Sequence, residues 1–232
     1  MKTEREPDQT RRTTRARWPW WTVLLAWTCL GGVMSISARG AEAGEGAGAG
    51  AGVVAGATLP VLRLDGSNGG YLKLPDGAFD ALEEATVEAW VRPRASTPMR
   101  IFNFGPPNRD LGFGLNDSSG SGRSTALFFT HDAKGLTVLV PLTLGGFPTD
   151  EWRHLAVVMG KGGIRVHLQG TLMETNAFRG AFSQLGKGGG YAIGQAHFIP
   201  FFKVDIAEFR VWRTSRTTEQ IRADMRRRLS GG

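Results

Sequence analysis

The chain has 232 residues, with 28 Lys/Arg against 21 Asp/Glu for a net charge of +7, and one cysteine, Cys29. Residues 1–43 hold seven of the basic and four of the acidic residues, which leaves 21 against 17, a net +4, for the remainder. That modest excess gathers at Arg222, Arg226, Arg227 and Arg228 with no aromatic residue between them to stack bases, which speaks against a nucleic-acid partner. The lack of any cysteine after residue 29 rules out a disulfide framework or a thiolate metal site there.

In chain order, residues 2–17 carry six basic and three acidic residues, residues 18–38 carry no charge, and Arg39-Gly40-Ala41-Glu42-Ala43 follows. A basic segment, an apolar core and a small-x-small end read as a secretory signal over 1–43, cleaved after Ala43. The alternative is an uncleaved signal anchor, because about 20 apolar residues span a bilayer. Gly31-Gly32 and the Ser/Ala-rich end dilute the hydrophobicity that anchoring needs and favour cleavage. Either way the remainder is exported: secreted, periplasmic or at the cell surface, with a membrane partner only if the segment is uncleaved. Residues 44–57 alternate Gly and Ala, with little side-chain area to bury, and read as a linker.

From residue 58 to 232 short apolar runs are separated by Gly, Pro, Asn and Asp, which marks a single all-β domain. Strands are expected over 61–64, 71–74, 85–91, 100–104, 112–115, 126–130, 136–140, 152–159, 164–169, 171–175, 191–194 and 203–212. Turns belong at Asp65-Gly66, Lys161-Gly162-Gly163, Gln169-Gly170 and Gly188-Gly189-Gly190, with 163–175 the clearest hairpin. In the last strand Val204 and Ile206 are out of phase with Phe209 and Val211, which predicts a bulge at Ala207-Glu208 that re-aims the Glu208 carboxylate. Beyond it, residues 219–229 form a basic amphipathic helix with Ile221, Met225 and Leu229 on one face. Between two strands, Phe198-Ile199-Pro200-Phe201-Phe202 is an apolar loop that either covers one end of the domain or presents a contact patch.

Four segments occur in an order that resembles a known family: Leu64-Asp65-Gly66; Val87-Glu88-Ala89-Trp90; Trp152-x-His154-x-Ala156; and Ile206-Ala207-Glu208-Phe209-Arg210-Val211-Trp212 with the Thr217-to-Ile221 helix start. Together they resemble the laminin-G-like or pentraxin-like jelly roll of the concanavalin A-like lectin/glucanase superfamily, over about residues 59–230. The resemblance implies a two-sheet antiparallel jelly-roll sandwich with a short C-terminal helix. It implies a binding scaffold whose partner is a glycan or an extracellular protein. The chain departs from classical pentraxins in lacking an internal disulfide and a dense acidic calcium loop.

The same superfamily contains glycoside hydrolases, whose chemistry needs two carboxylates facing across a cleft. No strand here carries the closely spaced acidic residues that usually deliver them, and Glu88 and Glu208 have Arg92 and Arg210 on their own strands, so ion pairing is the expected role of both. No catalytic residue is assigned. His154 belongs to the recurring strand and reads as a packing residue; His167 lies alone on a hairpin strand; Trp90, Trp152 and Trp212 read mostly as core. Domains that this chain resembles bind calcium through loop Asp and Asn, and here Asp65, Asn68 and Asp205 supply oxygens, with Asp65 and Asp205 as the weak metal candidates beside their plainer roles in a turn and at the surface. The sequence names no ligand-binding residues. The reading is an exported, non-catalytic binding module with calcium as its one possible cofactor; the alternatives are a glycan-active enzyme of this fold, or a purely structural or assembly module.

Overall fold

The computed structural model describes residues 33–36, 51–55, 60–66, 70–95, 99–106, 110–116, 124–131, 137–180, 182–184, 190–195 and 203–227. In chain order the strands are β1 (Val33–Ile36), β2 (Ala51–Ala55), β3 (Pro60–Asp65), β4 (Leu72–Leu74), β5 (Ala85–Pro93), β6 (Met99–Phe104), β7 (Leu111–Asn116) and β8 (Ser124–His131). They continue as β9 (Thr137–Phe147), β10 (Arg153–Met159), β11 (Ile164–Leu168), β12 (Thr171–Asn176), β13 (Tyr191–Ile193) and β14 (Lys203–Trp212), followed by the helix α1 (Thr218–Asp224).

These strands build two antiparallel sheets. One has eight strands in the order β12-β11-β10-β5-β14-β3-β2, with β1 pairing the far half of β14; the other has six in the order β4-β13-β6-β7-β8-β9. The architecture is the expected jelly-roll sandwich with one short C-terminal helix. Two strands fall in stretches read from sequence as export signal and linker. β2 pairs β3 from Ala51 opposite Leu64 to Ala55 opposite Pro60, and β1 pairs Phe209 to Trp212. Each carries the β-branched residues that suit a pleated edge, Val53-Val54 in one and Val33 and Ile36 in the other. Asn68, the 198–202 run and Leu229 lie outside the described residues.

Alternation decides which side chains face inward. Val87, Ala89 and Val91 of β5, Leu155 and Val157 of β10, and Val204, Ile206, Phe209 and Val211 of β14 all enter one buried cluster. The six-stranded sheet contributes Phe102, Phe104, Phe113, Tyr191 and Ile193, and Phe79 and Phe182 are added from outside the strands. The rings interlock edge-on and tilted, with centroids 5.3 Å apart for Phe79 and Phe104 and 5.1 Å for Phe79 and Tyr191.

The predicted bulge is present. Pairing of β14 with β5 shifts between Ala207 and Arg210, and Glu208 takes φ 50°, which leaves one residue unopposed and returns Phe209 to the core side. The β11–β12 hairpin also follows its sequence. Gln169 (φ 52°) and Gly170 (φ 72°) both adopt left-handed backbone between the paired residues Leu168 and Thr171, as a two-residue type I′ turn requires.

The helix is shorter than expected, seven residues from Thr218 to Asp224. Thr217 caps it by accepting from Gln220 N at 3.3 Å, while the Gln220 side chain accepts from Thr217 N at 2.8 Å. Ile221 alone is buried in the helix, against Ala156 and Val158 on the outer face of the eight-stranded sheet. Ile221→Ala is expected to cost about 2–4 kcal/mol by leaving a cavity there. Arg226, exposed, should tolerate alanine with almost no change, and parallel thermal melts of the two variants check the docking.

Candidate functional site

The sandwich has two outward sheet faces, and the sequence places polar residues on both. On the eight-stranded sheet α1 and the segment before it close one end. Glu88 of β5, with no exposed side-chain area, takes a hydrogen bond from Arg216 Nη1 at 2.6 Å and lies 3.5 Å from His154 Nε2. Arg216 also bonds Asp224 and the Gln220 carbonyl, and its guanidinium stacks 3.7 Å from the Trp212 ring centroid. Arg210 bonds Glu208 at 2.6 Å and donates to the carbonyls of Asp224 and Arg227. Trp90 Nε1 donates to the Met225 carbonyl at 2.8 Å.

Both carboxylates are therefore structural. The partner of Glu208 is Arg210, as expected from the sequence, but that of Glu88 is Arg216 rather than Arg92, because Arg92 faces a different acid on the same sheet side. Trp90, Trp152 and Trp212 are half-buried on this outer face and not in the core, since their strand neighbours Val91 and Val211 take the inward positions.

His167 sits under the same helix, its Nε2 sharing a hydrogen bond with Thr218 Oγ1 at 3.0 Å. Burial, then the charge of Arg165, lowers its pKa from 6.5 to about 4. The native state then resists a proton that the unfolded chain accepts below 6.5, so stability falls as pH drops from about 6.5 to 4. The expected loss is on the order of 2–3 kcal/mol, and pH-dependent denaturant titration of His167→Gln against the parent should show the variant lacking that slope.

The metal candidates lie on paired strands two register positions apart, and the surroundings of Asp205 do not fit calcium. Asp65 stands opposite Lys203, and Asp205 opposite Arg63 on one side and Arg92 on the other. The buried Asp205 carboxylate accepts from Arg63 Nε at 3.0 Å, from Arg92 Nε at 3.0 Å and Nη2 at 2.5 Å, and from Arg94 Nη1 at 3.2 Å. Burial pushes this carboxyl up, and the hydrogen bonds from Arg63 and Arg92 outweigh it, leaving the group below its ordinary range. Three guanidinium groups around one carboxylate repel a divalent cation from it, and no cluster of three or more His, Asp or Glu able to hold a metal exists among the described residues. The sequence-based picture of Asp205 as a surface residue is also corrected: it has no exposed side-chain area.

The six-stranded sheet presents a different face. Lys73, Ala192, Asn103 and Gly112 form one register row across β4, β13, β6 and β7, pointing away from the core. Beside Ala192 lies a shallow depression of about 80 Å³, lined by Tyr71, Lys73, Asn103, Gly190, Tyr191, Ala192 and Gln195. Tyr71 is 38% exposed, whereas Asn103 is 2% exposed and its Oδ1 has no hydrogen-bond partner. A buried acceptor without a donor is uncommon in a folded protein. Beneath the floor, the Tyr191 hydroxyl donates to Asp80, which fixes β13 against the turn at 76–81.

Residues 65–222 match the family model of the concanavalin A-like lectin/glucanases superfamily. The chain belongs to that superfamily. Among solved structures of this fold, the chain is similar to domain 4 of AbnA, a GH43 extracellular arabinanase from Geobacillus stearothermophilus in complex with arabinotriose. That likeness has TM-score 0.59 and 22% identity, over 75% of this chain and 80% of that one. It is similar to the binding domain of Paraclostridial Mosquitocidal Protein 1 (TM-score 0.59, 12% identity, 76% of this chain and 45% of that one). A third likeness is to the native heptameric SAP-like pentraxin of Limulus polyphemus (TM-score 0.51, 18% identity, 75% and 78%). No match is found among curated proteins.

Within this concanavalin A-like sandwich the two faces differ in kind. One is sealed at its helical end by a buried polar layer, and the other holds an open depression lined by the exposed Tyr71 and by Asn103, whose Oδ1 has no donor. Tyr71 and Asn103 carry no special mark in the sequence: each falls in a short expected strand, 71–74 or 100–104, and looks like an ordinary position there. Only the pairing of β13 between β4 and β6 brings them to one place.

Proposed function

We propose that this chain is an exported, non-catalytic binding module that seats a glycan on the outer face of its six-stranded sheet. The observation that carries the reading is Asn103, a buried amide oxygen without a donor at the edge of a depression that also holds exposed Tyr71. A sugar offers both complements, a hydroxyl for the amide and a C–H face for the ring. Lys73 and Gln195 at the rim add further hydrogen-bonding groups. The likeness to an arabinanase domain holding arabinotriose, and to a toxin binding domain, supports the class of ligand.

A non-catalytic role rests on where the acids lie. Among the described residues no Asp or Glu lines the depression, while Glu88 is sealed under α1 and Glu208 is paired with Arg210. Hydrolysis of a glycosidic bond needs two carboxyl groups on either side of it, and the groove supplies neither. The export part of the reading rests on the basic and apolar pattern of the N-terminal sequence; no helix among the described residues is long and apolar enough to cross a membrane.

A glycan array probed with the full chain tests the proposal. Binding to one set of neutral oligosaccharides, reduced roughly tenfold or more by Asn103→Leu and by Tyr71→Ala with the melting temperature kept, is expected. The same oligosaccharides should survive incubation with the protein uncleaved. Binding that ignores both substitutions, or turnover that disappears in Glu88→Gln, contradicts it.

A further inference from the structure

The outer face of the eight-stranded sheet has a second end, beyond α1, where guanidinium groups outnumber the acids that meet them. Arg63, Asp205 and Arg92 stand side by side on β3, β14 and β5, and Trp152 extends the line, its ring centroid 4.9 Å from the Arg92 guanidinium carbon. Arg94 reaches the same carboxylate from the end of β5 and pairs with Asp150 at 2.8 Å. Among neighbouring charges, Lys203 stands opposite Asp65 and Arg153 pairs with Glu151 at 2.7 Å. Among the described ion pairs of these three arginines the acids are two, Asp205 and Asp150.

Three guanidinium groups carry about fifteen N–H donors. Asp205 accepts five hydrogen bonds from them. The carboxylate is buried, yet the Arg63, Arg92 and Arg94 side chains are 42%, 25% and 40% exposed. Asp205 thus acts as a fixed anchor from below, holding the planar donors in place while their outer edges face solvent. Such preorganised, forked donors match the two oxygens of a carboxylate or the oxygens of a sulfate.

We propose that this arginine row is an oxyanion-binding site that takes the carboxylate or sulfate groups of an acidic polysaccharide. A row of three neighbouring strands extends about 10 Å, the length of more than one sugar unit, and the Trp152 ring at its end suits a saccharide better than a small free ion. The site lies on the opposite sheet from the groove, so the two engage different chemical features and are lost separately.

The test uses the full chain with two probes, polygalacturonate and dextran sulfate, at low and high salt. Binding of either polymer that weakens as salt rises, and that falls roughly tenfold or more in Arg63→Gln/Arg94→Gln, is expected. Neutral oligosaccharide binding should stay as in the parent, and Asn103→Leu should leave the acidic polymers bound. If the double variant melts early, the single Arg94→Gln replaces it. Binding of neither polymer, affinity unchanged by the arginine substitutions, or an equal loss in Arg226→Gln/Arg227→Gln at the exposed end of the helix would overturn the proposal.

Discussion

Replacing Arg216 with alanine is expected to destabilise the domain by about 3–5 kcal/mol. The guanidinium is nearly fully buried and bonds Glu88, Asp224 and the Gln220 carbonyl while lying over Trp212. Its removal leaves the Glu88 carboxylate, which has no exposed side-chain area, with His154 as its described neighbour at 3.5 Å. An unpaired buried charge costs far more than the lost pair contributed. In a domain of this size the loss corresponds to a fall in Tm of roughly 6–20 °C. The companion variant Arg216→Met/Glu88→Leu removes both charges and should recover most of the loss. A double variant as unstable as Arg216→Ala would show that the layer under α1 is held by something other than this ion pair.

Asp205→Ala is expected to cost about 3 kcal/mol, the lower end for breaking a buried pair, because Arg63 and Arg94 are exposed enough to be rehydrated. Its pH dependence has a definite sign. The carboxyl is held below its ordinary range in the folded state, so its contribution is present above about pH 4 and is lost as pH falls through the lower, folded value. Urea melts across the acid limb should therefore show parent and Asp205→Ala converging as the pH drops. Curves that stay parallel would mean that the arginines do not hold Asp205 as a carboxylate.

Much of this fold was legible in local patterns. The bulge at Ala207-Glu208 announced itself as a slip in alternation, and Gln169-Gly170 as a two-residue turn, because both depend on neighbouring residues alone. The expected strand 136–140 ends just before Pro141, and a proline cannot donate to a ladder. The strand in fact runs to Phe147, since β9 is the last strand of its sheet and one of its sides needs no ladder partner there.

What stayed hidden depends on pairing between distant segments. Nothing near Asp205 in sequence shows that Arg63 and Arg92 will flank it; they lie 142 and 113 residues away. Glu88 and Arg216 are separated by 128 residues, and the local candidate Arg92 was the better guess from spacing alone. A period of two divides a strand into two faces without saying what covers each, which is why the tryptophans were misplaced. The groove was invisible for the same reason: its lining residues Tyr71, Asn103 and Ala192 come from three separate segments.

The most direct measurement of the central claim is amide hydrogen exchange of the full chain with and without the oligosaccharide that binds best. Protection is expected at Leu72–Leu74, around Asn103 and at Tyr191–Ile193, the three strands that line the depression. Thr218–Asp224 and the β14 backbone beneath it should exchange as in the free protein. Protection confined to the helix and β14, with the groove strands unchanged, would contradict the assignment of the ligand to the six-stranded sheet.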